Sequence, residues 1–471
     1  MLVQQYYVDG IAHLSYLLGG KQTCAIIDPR RDIDDYVAIA KTLGLTITHI
    51  LETHLHADFV SGHLDLANCT GATIYAPRSG HCTYDHVAVG DGDSFDLEDM
   101  HIEVIDTPGH TPDCVCYVVT DTSRGAEPAA AFTGDTLFVG DVGRPDLFPG
   151  MADKLATSLY DSLHNKVMAL PDACLVYPAH GAGSLCGKAM GAMRVSTIGY
   201  ERAFNKALQH PSKEAFLNAL LNGMPEAPDH FARCSDINRR GPALVADAPP
   251  PRLLSPAELA GLTAKGHIVV DTRDYSSFGG AHIPGAWNID GRHNFSTFAG
   301  WLLPPDKPII LVAPPDANVA LLAIMLRRVG LDNVAGTLDG GISAWIIGGM
   351  PIDHMPTMTV HEAHQQCEAG KLPLTILDVR TGSEWGISHI NGAVHIPVQD
   401  VRTQFGQLDA DTEIALVCKS GARAGTAGSI LQQHGFTHLA VVAGGMTAWV
   451  AAGLAPECAT CSLTHGPRLA Q

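Results

Sequence analysis

Short apolar runs recur along the first 180 residues, and each is followed within a few positions by a side chain that can bind a metal. Runs of this length that end in turn residues are typical of buried strands. The pattern therefore predicts strands whose ends carry polar groups on loops. The runs, each with the groups that follow it, are 47–51 with His54 and His56, 104–105 with His110, 131–132 with Asp135, and 176–177 with His180.

One such position carries little information, because a chain with 24 histidines places some of them beside Gly and Pro by chance. Four such positions in succession along the chain indicate a metal site. His54 and His56 are two positions apart, so their side chains can point the same way. Phe59 follows Asp58 where a further ligand is needed, and its ring cannot donate electrons to a metal.

Residues 1–240 resemble the metallo-β-lactamase superfamily, whose signature of HxHxDH, GH, GD and a final His is matched at every place except Phe59. The resemblance implies an αββα sandwich. In two-zinc members such as glyoxalase II, the second ion takes the Asp and His of the DH pair and the final His, and the GD aspartate bridges the ions. Phe59 therefore predicts the loss of the second ion.

Two imidazoles and one carboxylate remain for a single ion. This is the ligand set of non-haem Fe(II) enzymes, which leaves coordination positions free for dioxygen and substrate. The persulfide dioxygenases of the superfamily bind iron at the positions that match His54, His110 and Asp135, so the resemblance implies one Fe(II) per chain. The resemblance also implies that three further side chains orient these ligands through hydrogen bonds. They are His56, Asp58 and His180.

Two residues close to these motifs have two interpretations each. Cys186 lies in a Gly-rich segment soon after His180, where it can receive or relay sulfur beside the metal, or serve as a small buried residue of a turn. Arg144 lies on the loop after Asp135, where it can clamp a carboxylate of the substrate thiol or pair with Asp146. The sequence leaves both pairs of alternatives open.

The length of the chain predicts its number of domains, and its net charge limits the classes of partner. At about 150 residues per domain, 471 residues predict roughly three domains. The formal net charge of −19, from 30 Lys and Arg against 49 Asp and Glu, argues against nucleic acid or an anionic membrane as a partner. Apolar runs such as 319–326 are far shorter than the roughly 20 residues of a membrane-spanning helix.

The first residues and the cysteines bear on the compartment. Residues 1–8 have neither the basic region nor the long apolar region of a signal peptide and are predicted to form a strand, so we expect a cytoplasmic protein. Twelve cysteines without regular spacing do not describe a disulfide framework. Cys458 and Cys461 form a CxxC near the end, which we interpret as part of a loose tail.

A proline-rich segment, 241–251, predicts a domain boundary, and the sequence beyond it repeats itself. The motif at 271–273 (DTR) returns 107 positions later at 378–380 (DVR). The motif at 340–345 (GGISAW) returns 104 positions later at 444–449 (GGMTAW). A period of this length indicates two tandem globular domains rather than a solenoid.

Both copies resemble rhodanese domains, which are small doubly wound α/β modules with a central parallel sheet. The D-[TV]-R opening, the HIxGA segment and the GGxxAW ending carry the resemblance. We therefore predict domains at 1–240, 252–352 and 358–456. The fold class predicted for the chain is α/β multidomain, with an αββα metallo-β-lactamase sandwich followed by two rhodanese-like doubly wound domains.

The second copy carries a thiol at a predicted strand-to-helix turn, because the apolar run 414–417 leads directly into Cys418 and an Ala-rich segment. Backbone N–H groups of such a loop and the positive end of the helix favour negative charge on sulfur, and Lys419 and Arg423 add positive charge. Four residues separate Cys418 from Arg423, as in sulfur-transferring rhodaneses, whereas a phosphate-sized loop needs five.

The first copy lacks these groups, since Ala313 takes the place of Cys418 and Asn318 that of Arg423. We interpret residues 252–352 as a non-catalytic rhodanese-like domain that packs, spaces or dimerises. A homo-oligomer is expected.

Persulfide sulfur links the two halves, because a persulfide dioxygenase oxidises it and a rhodanese cysteine carries it. The chain resembles the fused persulfide dioxygenase–sulfurtransferases of bacterial sulfide detoxification. The resemblance implies a low-molecular-weight thiol persulfide and O2 as substrates, sulfite as product, and Cys418 as the residue that makes or uses thiosulfate.

The sequence leaves open which thiol carries the persulfide and in which direction Cys418 works. Two other functions remain as alternatives. One is a two-zinc thioester hydrolase like glyoxalase II with a fused rhodanese, which Phe59 disfavours. The other is a sulfur carrier that hands persulfide to a partner.

Overall fold

Two six-stranded sheets form the first domain in a computed structural model that describes residues 1–224, 226–292, 294–369 and 374–454. Cys458 and Cys461 lie outside the described residues. The chain divides into two compact units, one of residues 1–249 with 324–332, and a second of residues 250–323 with the residues after 332. The strands of the first domain are β1 (Leu2–Val8), β2 (His13–Gly19), β3 (Thr23–Ile27), β4 (Thr46–Leu51), β5 (Thr73–Pro77), β6 (Val87–Val89), β7 (Ser94–Leu97), β8 (Met100–Asp106), β9 (Val115–Asp121), β10 (Ala130–Gly134), β11 (Leu175–Pro178) and β12 (Ser196–Thr197).

The first sheet has the order β1-β2-β3-β4-β5-β6, and the second β12-β11-β10-β9-β8-β7. In the first sheet β1 to β3 pair antiparallel and β3 to β6 pair parallel. In the second, β10 and β11 pair parallel and their neighbours antiparallel. The predicted apolar runs all lie within strands, and the polar groups that follow them lie at strand ends.

Alternation along the strands builds the layers, since successive side chains of a strand point to opposite faces. Ile27 of β3 joins a core between the sheets together with Val104 and Phe132 of the second sheet. Ile26, one position earlier, packs outward with Tyr36 of a helix that covers the first sheet. The helices of this unit are α1 (Asp34–Thr42), α2 (His63–Thr70), α3 (Ala152–Asn165), α4 (Ile198–Phe204), α5 (Lys213–Leu221) and α6 (His230–Arg240), with 3₁₀ turns at Arg78–Gly80, Val167–Ala169, Lys206–Gln209 and Val245–Asp247.

The outer face of the second sheet is covered by α3, α4 and α5, which contribute Leu159, Ile198 and Phe216 to one buried cluster. With α1 and α2 outside the first sheet, the order of layers is helix, sheet, sheet, helix. The predicted αββα sandwich is confirmed.

Two five-stranded sheets, with all strands parallel, follow in the second unit. Their orders are β13-β17-β16-β14-β15 and β18-β22-β21-β19-β20. The strands are β13 (Arg252–Leu254), β14 (Ile268–Asp271), β15 (Trp287–Asn288), β16 (Ile309–Val312), β17 (Val334–Leu338), β18 (Thr357–Met358), β19 (Leu374–Asp378), β20 (Val394–His395), β21 (Glu413–Val417) and β22 (Leu439–Val442).

The helices after the first domain are α7 (Pro256–Thr263), α8 (Tyr275–Gly280), α9 (Phe295–Leu302), α10 (Val319–Arg327), α11 (Gly341–Ile347), α12 (Val360–Ala369), α13 (Gly382–Ile387), α14 (Val401–Gln404), α15 (Ala422–Gln433) and α16 (Gly445–Ala451), with a 3₁₀ turn at Phe405–Gln407. Equal strand orders show that the sequence repeat is a structural repeat. The two rhodanese-like domains are therefore confirmed. None of the helices in the described ranges has the length and apolar character needed to cross a membrane.

The repeated D-x-R motif has the same task in both copies. Arg273 pairs with Asp271 at 2.5 Å, and Arg380 pairs with Asp378 at 2.6 Å. Each Asp ends a central strand and each pair is largely buried, so the ion pair ties the strand end to the helix that follows.

Candidate metal centre and cysteine loop

Three side chains from three strand ends direct one atom each to a common point. His54 follows β4, His110 follows β8, and Asp135 directly follows β10. Their ligand-type atoms lie within 4.8 Å of one another, and all three residues are buried. Oδ2 of Asp135 lies 3.3 Å from Nε2 of His110 and 3.8 Å from Nε2 of His54. Folding thus brings together the three ligands predicted from sequence.

The other nitrogen of each imidazole is held by the protein. Nδ1 of His54 lies 2.9 Å from Oγ1 of Thr53, and Nδ1 of His110 lies 2.8 Å from the carbonyl oxygen of Arg144. Nε2 of both rings and Oδ2 of Asp135 have no hydrogen-bond partner among the described residues. Buried polar atoms are nearly always paired. Three unpaired atoms that converge, on side chains oriented from behind, fit a bound cation.

The charges at the site also favour a cation. Burial raises the pKa of Asp135, but His180 and His110 outweigh this effect and hold the pKa far below its ordinary value. Burial lowers the pKa of His54 well below its ordinary value, and it also lowers the pKa of His110. At neutral pH the carboxylate is charged and the two imidazoles are neutral, which are the states that bind metals.

His56 does not join the three ligands. Its Nε2 lies 3.1 Å from Oδ1 of Asp28, and both belong to a separate buried group with Glu52. Asp28 also accepts hydrogen bonds from N and Oγ1 of Thr53, at 2.8 and 2.9 Å, and so supports the residue that contacts His54. The sequence analysis missed Asp28, although it follows β3 in the same way as the predicted ligands follow their strands.

Phe59 fills apolar space beside the site. Its side chain is fully buried and packs with Val8 and Ile11. Its ring centroid lies 4.1 Å from that of His13 and 4.4 Å from that of His56. The residue is therefore a core aromatic as well as the substitute for a ligand. His13 was missed from sequence because it begins β2 and no strand-end pattern marks it.

His180 connects the ligand Asp135 to Asp58. Its Nδ1 lies 2.7 Å from Oδ1 of Asp135, and its Nε2 lies 2.9 Å from Oδ2 of Asp58. Burial lowers the pKa of His180, but the two carboxylates outweigh this effect and raise the pKa well above its ordinary value. A charged imidazole between two carboxylates fixes the rotation of Asp135 and leaves Oδ2 directed to the other ligands.

Cys186 lies beside this pair and forms with Asp58 and His180 another buried group of metal-type ligands, whose atoms are within 4.8 Å of one another. Its side chain packs with Phe138 and Phe231. Burial raises the pKa of the Cys186 thiol well above its ordinary value, so the thiol is uncharged at neutral pH. The residue is close to the metal pocket, and its role in sulfur relay stays a prediction.

Arg144 is engaged with protein groups. Its Nε and Nη2 donate to the carboxylate of Asp146 at 2.7 and 2.8 Å, and its Nη1 donates to the carbonyl oxygen of Leu185 at 3.1 Å. Only 1% of the residue is exposed. Of the two alternatives for Arg144, the structure contains the ion pair with Asp146. This geometry gives no support to the assignment of Arg144 to substrate binding.

Position 143 requires glycine, because its backbone lies close to two of the predicted metal ligands. A Cβ at this position would lie 2.0 Å from the carbonyl oxygen of Asp135 and 2.8 Å from Cβ of His110. We expect Gly143→Ala to destabilise the first domain by about 1–3 kcal/mol, as overpacking does, and to lower the bound metal per chain. The measurements are calorimetric unfolding and metal content.

A matched control is Gly125→Ala, since a Cβ there has nothing within 4 Å. All five tryptophans lie beyond residue 286, so tryptophan fluorescence follows the rhodanese-like domains alone and should not change in either variant. Equal unfolding temperatures and equal metal content for the two variants would show that the site does not depend on this close approach.

The Cys418 loop leaves the end of β21, as predicted. The backbone N–H of Gly421 donates to Sγ of Cys418 at 3.0 Å. From the other side, the N–H of Met446 donates to the carbonyl oxygen of Cys418 at 2.8 Å. A Cβ on Gly445 would lie 2.2 Å from that oxygen, and the φ of Gly445 is +52°. The repeated GG motif thus holds the thiol loop in place.

Arg423 forms a two-pronged ion pair with Glu384, with N–O distances of 2.6 and 2.8 Å. Burial raises the pKa of Glu384, but the bonds from Arg423 outweigh this effect and lower the pKa to about 2. The guanidinium charge is therefore balanced, whereas Lys419 is exposed. Glu384 was missed from sequence, although it completes a capping box with Thr381 at the start of α13.

In the first copy the equivalent loop is built without a nucleophile. Ala313 follows β16 where Cys418 follows β21. A Cβ on Gly341 would lie 3.4 Å from the carbonyl oxygen of Ala313, so the GG motif approaches this loop as well. The scaffold of the Cys418 loop is present twice and its thiol once.

Known protein families match the chain in three places. The metallo-beta-lactamase superfamily matches residues 8–180, and the rhodanese-like domain matches residues 255–347 and 359–452. The mitochondrial persulfide dioxygenase ETHE1 of Mus musculus is 33% identical over 226 residues, which cover 47% of this chain and 81% of that protein. The chain belongs to the ETHE1-like branch of the metallo-β-lactamase superfamily. Two rhodanese domains follow its ETHE1-like domain.

Two further relatives bear on the interpretation. The chain has 33% sequence identity to a metallo-beta-lactamase from Staphylococcus aureus that has a crystal structure. The two structures compare with a TM-score of 0.63, and the match covers 72% of this chain and 98% of that one. The hydroxyacylglutathione hydrolase of Erythrobacter litoralis is 37% identical over 161 residues, which cover 34% of this chain and 58% of that protein. The domain limits 1–240, 252–352 and 358–456 and the roles of the site residues stay predictions.

Proposed function

We propose that this chain is an iron-dependent persulfide dioxygenase joined to a sulfurtransferase. The observation that carries the proposal is the convergence of unpaired Nε2 atoms of His54 and His110 and Oδ2 of Asp135 in a buried pocket. Two imidazoles with one carboxylate and open positions are typical of non-haem Fe(II) oxygenases. The family relationship to ETHE1 supports the same chemistry.

When bound, one Fe(II) per chain supplies positions for O2 and for the terminal sulfur of a thiol persulfide. The net reaction balances as RSSH + O2 + H2O → RSH + HSO3⁻ + H⁺. The protein holds the ligands: Thr53 and the Arg144 carbonyl fix the imidazoles, and His180 fixes Asp135.

The sulfurtransferase half uses Cys418. Its thiolate takes the terminal sulfur of a persulfide, RSSH + Cys–S⁻ → RS⁻ + Cys–SSH, and sulfite then accepts that sulfur to give thiosulfate. The N–H of Gly421 donates to Sγ at 3.0 Å and would stabilise negative charge there, and four residues, rather than the five of a phosphate-sized loop, separate Cys418 from Arg423. Sulfite made in the first half is thus consumed in the second, although transfer from thiosulfate uses the same groups in reverse.

The test is anaerobic purification, metal analysis, and oxygen uptake with the persulfides of glutathione, coenzyme A and bacillithiol and with inorganic sulfide. We expect one iron per chain, oxygen uptake with at least one of these persulfides, and loss of uptake after chelation that Fe(II) restores and Zn²⁺ does not. Hydrolysis of hydroxyacylglutathione is measured in parallel. Two zinc ions per chain with thioester hydrolysis and no oxygen uptake would replace the proposal with the hydrolase alternative.

A further inference from the structure

We propose that the non-catalytic rhodanese domain supplies a positioning residue, Tyr275, to the Cys418 loop of the second copy. The inference rests on the proposed sulfurtransferase function and gives a task to the domain that lacks a thiol. Both copies belong to the same compact unit, so their contacts are part of one structure.

α15, the helix that follows Cys418, contacts the first copy through a face formed by glycines. Gly421, Gly425 and Gly428 are spaced so that they lie on one side of α15 and its N-cap. A Cβ on Gly421 would lie 2.3 Å from Cε1 of Tyr275, and one on Gly425 would lie 2.7 Å from Cβ of Tyr275. A Cβ on Gly428 would lie 2.2 Å from Sδ of Met355. The glycines are therefore needed for contact with the first copy and with the segment that joins the copies.

Tyr275 touches both turns that enclose the sulfur. Its ring packs on Gly421, whose N–H donates to Sγ of Cys418 at 3.0 Å. Its hydroxyl accepts a hydrogen bond from the N–H of Gly444 at 3.3 Å, and Gly444 caps α16, whose Met446 donates to the carbonyl oxygen of Cys418. One side chain thus spans the two elements whose N–H groups hold the thiol loop.

The placement of Tyr275 is itself fixed. It is the first residue of α8, and Asp274 caps this helix by accepting hydrogen bonds from the N–H groups of Ser276 and Ser277 at 3.0 Å. The glycine at 421 has a φ of +115°, a conformation that few other residues adopt and that a packed ring helps to hold. The ring therefore keeps the N–H of Gly421 directed at sulfur and covers it from water.

The test uses the full chain with Tyr275→Ala, Tyr275→Phe and the control Lys265→Ala, whose side chain is exposed in the same rhodanese-like domain. Alkylation of Cys418 by iodoacetamide is followed by peptide mass spectrometry from pH 6 to pH 10. For Tyr275→Ala we expect an about tenfold slower reaction at pH 7 with a limiting rate at high pH that is not lower, because the N–H of Gly421 is no longer held toward sulfur. Tyr275→Phe should restore most of the rate, and Lys265→Ala should match the unchanged chain.

Transfer of sulfur from thiosulfate to cyanide should fall in parallel for Tyr275→Ala, with oxygen uptake unchanged. A pH profile for Tyr275→Ala equal to that of the unchanged chain would overturn the inference, and so would a rate lowered equally at all pH values together with an earlier tryptophan-detected unfolding. If the unchanged chain transfers no sulfur but the alkylation profile still shifts, the proposed sulfurtransferase function fails and the positioning role of Tyr275 stands.

Discussion

Replacement of Asp135 by alanine is expected to lower oxygen uptake with a thiol persulfide by at least about a hundredfold and to leave sulfur transfer unchanged. Changes to residues that only orient a metal ligand already cost 10- to 100-fold in affinity or activity, so loss of a ligand costs at least as much. Oδ2 of Asp135 is the single carboxylate atom directed at both Nε2 atoms, and Oδ1 holds His180. The measurements are oxygen electrode traces and iron content.

Asp153→Ala is the matched control, because Asp153 is an exposed carboxylate of the same domain at the start of α3. It should retain iron and full oxygen uptake. If Asp135→Ala kept both its iron and its oxygen uptake while folding normally, the assignment of the metal ligands would be wrong. His110→Ala should behave as Asp135→Ala does, since it removes another of the three converging atoms.

The second large effect is expected for Cys418→Ser, which should abolish sulfur transfer, with a loss of more than about a thousandfold, and keep oxygen uptake. A serine hydroxyl is not ionised by this loop at neutral pH and cannot form a persulfide, whereas the thiolate is the reactive form of cysteine. The loop itself should persist, because the N–H of Met446 donates to the carbonyl oxygen of Cys418 and a serine hydroxyl can accept the N–H of Gly421 in place of Sγ. The assay is thiosulfate formation from persulfide and sulfite.

Cys367→Ser is the control for this variant, since Cys367 is an exposed free thiol on α12 of the same copy. Its sulfur transfer should be unchanged. Loss of both activities in both Asp135→Ala and Cys418→Ser, without unfolding, would defeat the division of labour between the halves. A carrier protein without dioxygenase activity would instead lose its function in Cys418→Ser alone.

Much of the fold follows from local sequence. The apolar run 47–51 lies in β4, and the run 414–417 lies in β21, because short runs of β-branched and other apolar residues favour buried strands in most contexts. The tandem repeat predicted two globular domains, their resemblance to rhodaneses implied parallel sheets, and the two five-stranded sheets of equal strand order confirm both. The resemblance to persulfide dioxygenases selected His54, His110 and Asp135 as predicted ligands, and the structure brings their ligand-type atoms within 4.8 Å of one another.

The direction of individual side chains could not be read locally. His54 and His56 are two positions apart, and the period of a strand allows both to point the same way. They lie beyond the end of β4, where the chain turns, and His56 is drawn to Asp28, far from it in sequence. The sequence separation of such partners hides them from any motif. The same holds for Glu384, which meets Arg423 over 39 positions.

The sequence by itself determined the chemistry on offer in each half: the imidazoles and carboxylate that follow the strands, the aromatic ring at Phe59, and the thiol at Cys418 that the first copy lacks. Only the tertiary structure decided which of these polar atoms have no protein partner and are available for binding. It turned His56 to Asp28, paired Arg144 with Asp146, and placed Tyr275 on the thiol loop. The physical reason is that a polar atom is available for binding only when no protein group satisfies it, and those groups arrive from distant parts of the chain.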